Sequence, residues 1–554
     1  MPRINISEVD DTLTTSVEQL YNVVYVPGFS ASEALEPRTP VTITDLTTFK
    51  RLVKPASFLS NQAFPSGFEA NAKSGIENEY MFNEGEVDPS YTYAYSLVKE
   101  GVPVVYERVN TSIEDYECEV SKADPEYIGF KHGTSNPNSG TPVVPTNATA
   151  SIDREYYLQI TIDSTGSEPT YTTNLFLYKG LVEGVHVWKE ITNLTNYTED
   201  VTLIKTTTPV SYTVTTLAVL AISVNDMYDY LSTRFKGGAD HLDNPLYDRN
   251  ATQIKYLTTG GYPVFEYTVD NVQDAIVKDM LDLANPNGTI TADSPQVGRG
   301  DCVVLIDHVI NEERPLTGEG SVFYDLNTDH DGIAASWGAM FSPGIEYDGQ
   351  KMVGSFAYLI SMAKAVQTNP NWLAVAGVNR GVIPGATRLL TNNKMTRAIA
   401  DSYMVNSLID PNGTTGARYS IFINPITNVR PYGLTIWGNR TLIKTAYGSE
   451  QALYYLNMRS LLTEIKKQCY AASEQLMFEQ NSDVLWINFK SKIVPLLDNM
   501  SSSYGISGYK IIKDITDKKA QLKATIKVYP IYAVEDFDIT VVLTDGELSV
   551  EENS

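Results

Sequence analysis

The stretch Asn424-Pro-Ile-Thr-Asn-Val-Arg-Pro-Tyr-Gly-Leu-Thr-Ile-Trp-Gly-Asn-Arg-Thr-Leu442 decides how this chain is organised. An apolar run, Tyr419–Ile423, leads into it, and Leu434, Ile436 and Leu442 bracket an aromatic Trp437 beside Gly438 and Arg440. Pro425, Pro431, Gly433 and Gly438 punctuate it, so the backbone alternates between turns and short extended pieces. A strand, a rigid elbow and a second strand fit that grammar. Taken alone, the stretch would serve as an ordinary strand–turn–strand of an α/β domain.

Downstream, Ser449 can cap a long helix whose apolar positions Leu453, Leu456, Leu461, Leu462, Ile465, Cys469, Ala472 and Leu476 step by threes and fours. Asp483 caps a second helix with Trp486, Phe489, Ile493, Leu497 and Met500 on one face, and Pro495 is expected to kink or split it. Gly508–Asp514 and Gln521–Tyr529 form a strand pair. The second alternates Leu522, Ala524, Ile526 and Val528 with Lys523, Thr525 and Lys527, one face buried and the other basic. Arg459 to Lys527 carries eleven Lys/Arg against seven Asp/Glu, a net +4.

Upstream, Val23–Ser30 is a buried-strand run closed by Pro27-Gly28, and Thr44 or Asp45 can cap a short helix. Tyr91–Glu100 suits a helix and Val102–Val109 a strand. After Asn110 the long helical periods stop. Gly133–Thr149 is loop chemistry, and Tyr157–Ile162, Leu175–Tyr178 and Val185–Trp188 are short strands at turn-sized intervals, an inserted antiparallel β domain. Then α/β grammar returns: Val214–Phe235 as a candidate helix, a strand at Gln253–Leu257, a helix capped by Asp270, the doubly buried strand Cys302–Asp307 and a helix at Met352–Val366.

These segments, in this order, resemble contractile tail sheath proteins. There an asparagine-proline turn, a Tyr-Gly pair and a Trp-Gly-x-Arg-Thr run precede two C-terminal helices, a Gly-x-Tyr strand, an alternating strand and a final extended strand. Here the motif core is Tyr432, Gly433, Trp437, Gly438, Arg440 and Thr441. Trp372-Leu-Ala-Val-Ala-Gly377, followed by a glycine-rich turn, is similar to a second block of the family, and Val534 departs from its Pro-x-x-Ala-Glu link.

The resemblance implies a mixed α/β, multi-domain sheath core: an N-terminal interaction arm at 1–20, core at 21–110, an outer β-rich insertion at 111–212, core again at 213–424, a C-terminal tube-facing domain at 425–532 and a C-terminal arm at 533–554. It implies strand exchange between subunits through Ile4, Ile6, Val9 and Leu13 at one end and Ile539, Val541 and Leu543 at the other. Lys466, Lys467, Lys490 and Lys492 become candidates to face the tube, with a solvated lysine face as the alternative. The implied partners are further copies of the chain in stacked rings, a tail tube protein, and baseplate and tail terminator proteins. The implied function is non-enzymatic: a sheath subunit that contracts to drive a tube through a host envelope, in a virion assembled in the host cytoplasm, or the same part of a tailocin or bacterial contractile injection system.

Composition limits the rivals. At 554 residues more than one domain is expected, and 42% hydrophobic with 20% charged residues is ordinary for a globular protein. The net charge of −25 argues against direct nucleic-acid binding, which needs a basic face to displace counterions. Cys118, Cys302 and Cys469 make no disulfide framework, no apolar run approaches the roughly 20 residues of a membrane span, and the opening Met1-Pro-Arg-Ile-Asn-Ile has no apolar signal region. No membrane insertion is expected. A β-rich carbohydrate-binding protein or glycosidase is the rival of another class, because Tyr156, Tyr157, Tyr171, Tyr178 and Trp188 could stack on sugars, although aromatic strand residues more often serve as core.

Asp325-Leu-Asn327-Thr-Asp329-His-Asp331-Gly332 resembles a Ca²⁺ loop, but counting from Asn327 the twelfth position is Gly338 instead of a bidentate glutamate, so an Asx-rich turn is expected and no metal. The five histidines are scattered, the nucleophile-elbow, zincin, Walker and dinucleotide templates are missing, and no catalytic residue or cofactor is expected.

Overall fold

Residues 24–28 and 303–306 are apolar at every position, so each strand needs cover on both faces. In the computed structural model they lie inside an eight-stranded sheet. The structure describes most of residues 22–534; outside the description lie 1–21, 535–554, 63–81, 131–155, 194–202, 264–271, 287–297, 308–331, 401–407, 410–417, 444–450 and shorter breaks, and between 112 and 221 the backbone alone is described.

In spatial order the sheet runs Pro40–Ile43, Val104–Arg108, Val24–Gly28, Tyr256–Leu257, Val303–Asp307, Gly338–Ser342, Ile423–Val429, Gly433–Ile436. The six inner strands are parallel, and the two outermost pair antiparallel. From the central pair Val24–Gly28 and Tyr256–Leu257 the strands follow chain order outward on the Val303–Asp307 side, whereas on the other side the chain goes first to the edge strand Pro40–Ile43 and returns to Val104–Arg108 between. Alternation within each strand feeds two cores. Val24, Val26, Val303 and Leu305 pack with Phe49, Leu97, Phe356 and Leu359 of the helices Leu46–Leu52, Pro89–Lys99 and Gly354–Val366. Val23, Tyr25, Val304 and Ile306 pack with Met227, Leu231, Ile276 and Met280 of Val224–Arg234 and Val272–Ala284.

Asp45 caps Leu46–Leu52, accepting from the Thr48 amide at 2.9 Å. Several other expectations need correction. Tyr212–Val219 is a strand, because the β-branched run 213–216 favours extended backbone, and the helix starts only at Val224. Asn424-Pro425 is not a turn. It opens the strand Ile423–Val429, whose proline sits near the strand start where a missing amide is tolerated. The first C-terminal helix runs Leu456–Glu474 and begins after Tyr455, with a short 3₁₀ turn at Ala452–Tyr454; Ser449, Asp270 and the Asp325–Asp331 loop lie outside the described residues. Ser482, not Asp483, caps Asp483–Ser502, its hydroxyl accepting from the Leu485 amide. That helix continues through Pro495, since Pro495 and Ser491, whose carbonyl loses its donor, are both exposed and water can replace the bond.

The strand Tyr212–Val219 pairs with Glu114–Val120, and Ile423–Val429 is a strand of the eight-stranded sheet that spans the 424/425 junction. Within the block, Glu126–Phe130, Tyr156–Asp163, Thr170–Val182 and Val185–Asn193 form a four-stranded sheet. At the C-terminal end, the two helices and the hairpin Ile506–Asp514/Lys523–Pro530 enclose a third core of Met458, Leu461, Ile465, Phe489, Ile493, Leu497 and Met500. Leu522, Ala524, Ile526 and Val528 pack on it, as the alternation requires.

Candidate functional site

The Asn424–Leu442 motif forms the joint between the central sheet and the C-terminal helical unit. Asn424 is fully buried at the start of its strand. Its Nδ2 donates to the Met340 carbonyl (3.0 Å) and the Arg440 carbonyl (2.8 Å), and its Oδ1 accepts from the Arg440 amide (2.6 Å). One side chain thus ties the neighbouring strand to the segment leaving the sheet. Gly438 permits the approach: a Cβ there would lie 2.8 Å from Asn424 Oδ1 and 2.9 Å from its Cα. Gly433, at φ +97°, turns the chain into the edge strand.

The next residues hand the chain to the helix. Asn439 Nδ2 donates to Asn457 Oδ1 (2.7 Å), Asn439 Oδ1 accepts from the Asn457 amide (3.1 Å), and the Leu456 amide donates to the Asn439 carbonyl (3.0 Å). Asn439 therefore supplies acceptors to amides that begin a helix with no side-chain cap of its own. The Thr441 hydroxyl donates to the Leu453 carbonyl (2.8 Å), and the Arg440 guanidinium lies 5.1 Å from the Tyr454 ring centre. Trp437 is held by its amide on the Pro425 carbonyl (2.7 Å), with Arg397 over its ring at 4.2 Å. Tyr432 is exposed in the elbow.

Two further contacts lock the units together. Trp372 leaves the sheet domain and enters the helical unit's core, its Nε1 donating to the Ser503 carbonyl at 3.3 Å. A Cβ on Gly505 would lie 2.7 Å from that ring. From the other side Arg459, 1% exposed, donates to the carbonyl and hydroxyl of Ser336 and stacks 4.0 Å over Trp337. Burial lowers its guanidinium to about 10, and among the described residues no carboxylate pairs with it within 4 Å. The aromatic face replaces a counter-ion.

This geometry redistributes the four expected lysines. Lys466 lies 5.1 Å from the Trp337 ring, and Lys467 donates to the Ile254 carbonyl at 3.2 Å, with its ammonium disfavoured first by burial. Both engage the chain's own core. Lys490 and Lys492 are exposed on the second helix, Lys492 donating to Gln475 Oε1 at 2.6 Å. The strand-exchange residues Ile4, Ile6, Val9, Leu13, Ile539, Val541 and Leu543 lie outside the described residues.

A second polar cluster fills the point where the strand order reverses, the place where open α/β sheets commonly hold ligands. Asp88 accepts from the Phe29 amide (3.0 Å), Ser90 and the Tyr262 hydroxyl (2.7 Å); Asp307 accepts from the Ser355 amide (2.6 Å) and hydroxyl (2.7 Å). Each carboxylate meets the first turn of a helix. Burial pushes Asp88 up to about 6 and Asp307 to about 7, against which those donors act. Asp88 accepts from four donors of the protein and Asp307 from two. Among the described residues no group of three or more His, Cys, Asp or Glu is placed to hold a metal, and no helix is long and apolar enough to cross a membrane.

Large exposed apolar side chains concentrate after residue 476: Met477, Phe478 (98% exposed), Val484, Ile487, Tyr504, Ile515 (94%), Tyr529 and Tyr532. Asn439, Asn457 and Arg459 do not stand out as functional in the sequence. The available signal is polar and cationic residues at otherwise apolar positions.

No family model matches the chain. Over 192 residues, 34% of the chain, it is 26% identical to the tail sheath protein of Vibrio phage KVP40, and the match spans 26% of that relative's length. The chain is thus similar to a curated protein of the kind its motifs resemble. Similar solved structures are a chain of the anti-feeding prophage baseplate (13% identity, TM-score 0.36, 58% of this chain and 81% of that one), the PVC sheath complex of an extracellular contractile injection system in the contracted state (14%, 0.37, 58% and 80%) and the sheath tail protein of Desulfitobacterium hafniense (10%, 0.39, 96% and 100%).

Proposed function

We propose that this chain is the sheath subunit of a contractile tail, polymerising around a tail tube and contracting to drive it through a host envelope. The observation that carries this is the 26% identity over 192 residues to a tail sheath protein, together with the ordered motif that here builds the joint. The work is mechanical, and no active site is invoked. A sheath subunit has to transmit load between neighbours without coming apart. The joint supplies that property, because Asn424, Trp372 and Arg459 each tie the C-terminal unit to the sheet domain.

Assembly runs through the ends of the chain. The hairpin Ile506–Asp514/Lys523–Pro530 has two outer edges without a strand partner among the described residues, and such edges accept a further strand. Its lysines 510, 513, 523 and 527 complement residues 535–554, which carry seven Asp/Glu and no Lys/Arg. The C-terminal arm of one subunit, through Ile539, Val541 and Leu543, adds to the hairpin of another, and the N-terminal arm does the same through Ile4, Ile6, Val9 and Leu13. Head-to-tail exchange of this kind propagates as an open helical tube. Lys490 and Lys492 face the tail tube; baseplate and terminator proteins meet the ends of the stack; the assembled particle is a virion tail built in the host cytoplasm.

Sedimentation and electron microscopy of the intact chain and of versions lacking residues 1–18 or 537–554 test this. The intact chain forms tubes, and each truncated chain is a folded monomer. Truncated chains that still polymerise would remove the arm assignment. Charge reversal at Lys490 and Lys492 that left tube docking unchanged would remove the tube-facing one.

A further inference from the structure

The register of the inserted sheet sorts its aromatic residues onto two faces. Glu126–Phe130, Tyr156–Asp163, Thr170–Val182 and Val185–Asn193 pair in that order, all antiparallel. Directly paired residues share a face, and faces alternate along each strand. One face holds the row Phe130, Tyr156, Leu177, Lys189 and the row Ile128, Leu158, Leu175, Thr192, in the main the composition of a core face. Tyr171, paired with Ile162, joins it.

The opposite face is of another kind. Tyr157 pairs with Phe176 and Tyr178 with Trp188, a patch of four aromatic residues on three adjacent strands. One row along, Tyr127 pairs with Gln159, Gln159 with Asn174 and Asn174 with Asn193, while Glu190 pairs with Phe176. On the outer strand the partner of Tyr157 is Gly129, which brings no side chain to the row. A glycine inside a strand marks a bulge, a tight bend or the close approach of a ligand or another backbone.

We propose that this second face binds a neutral oligosaccharide. Aromatic rings carry negative π-faces that attract the weakly positive C–H edges of a pyranose, and amide and carboxylate groups take the donor and acceptor pairs that vicinal hydroxyls present. Both kinds of group share one face here. Charge selects the class of sugar: residues 111–212 hold fourteen Asp/Glu against six Lys/Arg, which repels a polyanion and leaves a neutral glycan as the fitting ligand. This site is independent of the sheath reading, and either can fail without the other.

The test is affinity electrophoresis of the intact chain through gels containing dextran, laminarin, galactomannan or xyloglucan, with alginate as the polyanionic comparison. At least one neutral gel is expected to retard the chain. Trp188→Ala should raise the apparent Kd by about tenfold or more, while Tyr171→Phe, on the other face, leaves it unchanged. If Trp188→Ala fails to fold, Gln159→Ala and Asn174→Ala at the polar register positions carry the same expectation. No retardation in any neutral gel, retardation by alginate alone, or retardation insensitive to the face-specific substitutions overturns the proposal.

Discussion

Replacing Asn424 with alanine removes three hydrogen bonds at once. The Met340 and Arg440 carbonyls lose their donor at 3.0 and 2.8 Å, and the Arg440 amide loses its acceptor at 2.6 Å. A buried bond contributes about 1 kcal/mol net, but a buried group left without its partner costs about 1–3 kcal/mol, so the three together come to roughly 3–6 kcal/mol. Against a typical total of about 5–15 kcal/mol, that is a large part of the fold's stability. Urea unfolding followed by tryptophan fluorescence is the assay, because Trp337, Trp372 and Trp437 all lie at the joint. The midpoint should fall at unchanged slope. Asn424→Asp should be no better, since it keeps an acceptor for Arg440 but turns a carboxylate toward two carbonyls. A loss below about 1 kcal/mol in Asn424→Ala would refute the role given to this side chain, being the range of an exposed substitution.

Three other outcomes are expected. Trp372→Ala empties a large site in the C-terminal core and should cost about 3–5 kcal/mol, with earlier proteolysis of the helical unit than of the sheet; equal resistance of both would contradict its role as a plug. Glu107→Ala leaves Arg234, 2.8 Å from the carboxylate in the native chain, largely buried without its charge partner and should cost about 3–5 kcal/mol, most of it recovered in Glu107→Leu/Arg234→Met; a recovery no better than the single substitution would count against the ion pair. Asp88 and Asp307, raised by burial to about 6 and about 7 from 3.8, bind protons more tightly folded than unfolded. Their contribution is complete at acid pH and lost as pH rises through those values. Melting temperature should therefore fall from pH 5 to 8 with a component that Asp307→Asn removes, and a slope unchanged by that substitution would contradict the assignment.

Much of the fold was legible because the sheet is buried on both faces. An unbroken apolar run as short as 303–306 fits little besides a strand covered on both sides, and the three-and-four spacing of Leu461, Ile465, Ala472 and Leu476 marked a helix directly. What misled was local chemistry that tertiary contacts override. The apolar length of 214–235 suggested one helix, whereas pairing with Glu114–Val120 holds its first part extended. Pro495 carries a strong breaking signal, but its carbonyl partner faces water. The joint was legible as a motif and not as a mechanism. Tyr432, Trp437 and Arg440 stand out by type, while the residue that ties them, Asn424, reads as turn chemistry until the burial around it is known. Lys466 and Lys467 could not be told from Lys490 and Lys492 by charge. Only the packing of Trp337 and Ile254 against the helix separates them.

The central claim, a polymerising sheath, is tested most directly by electron microscopy of the purified chain at rising concentration, alone and with the tail tube protein. Hollow cylinders with a helical repeat are expected, their wall containing the C-terminal hairpin of one subunit paired with an arm of the next. A chain that stays monomeric under both conditions would contradict the claim.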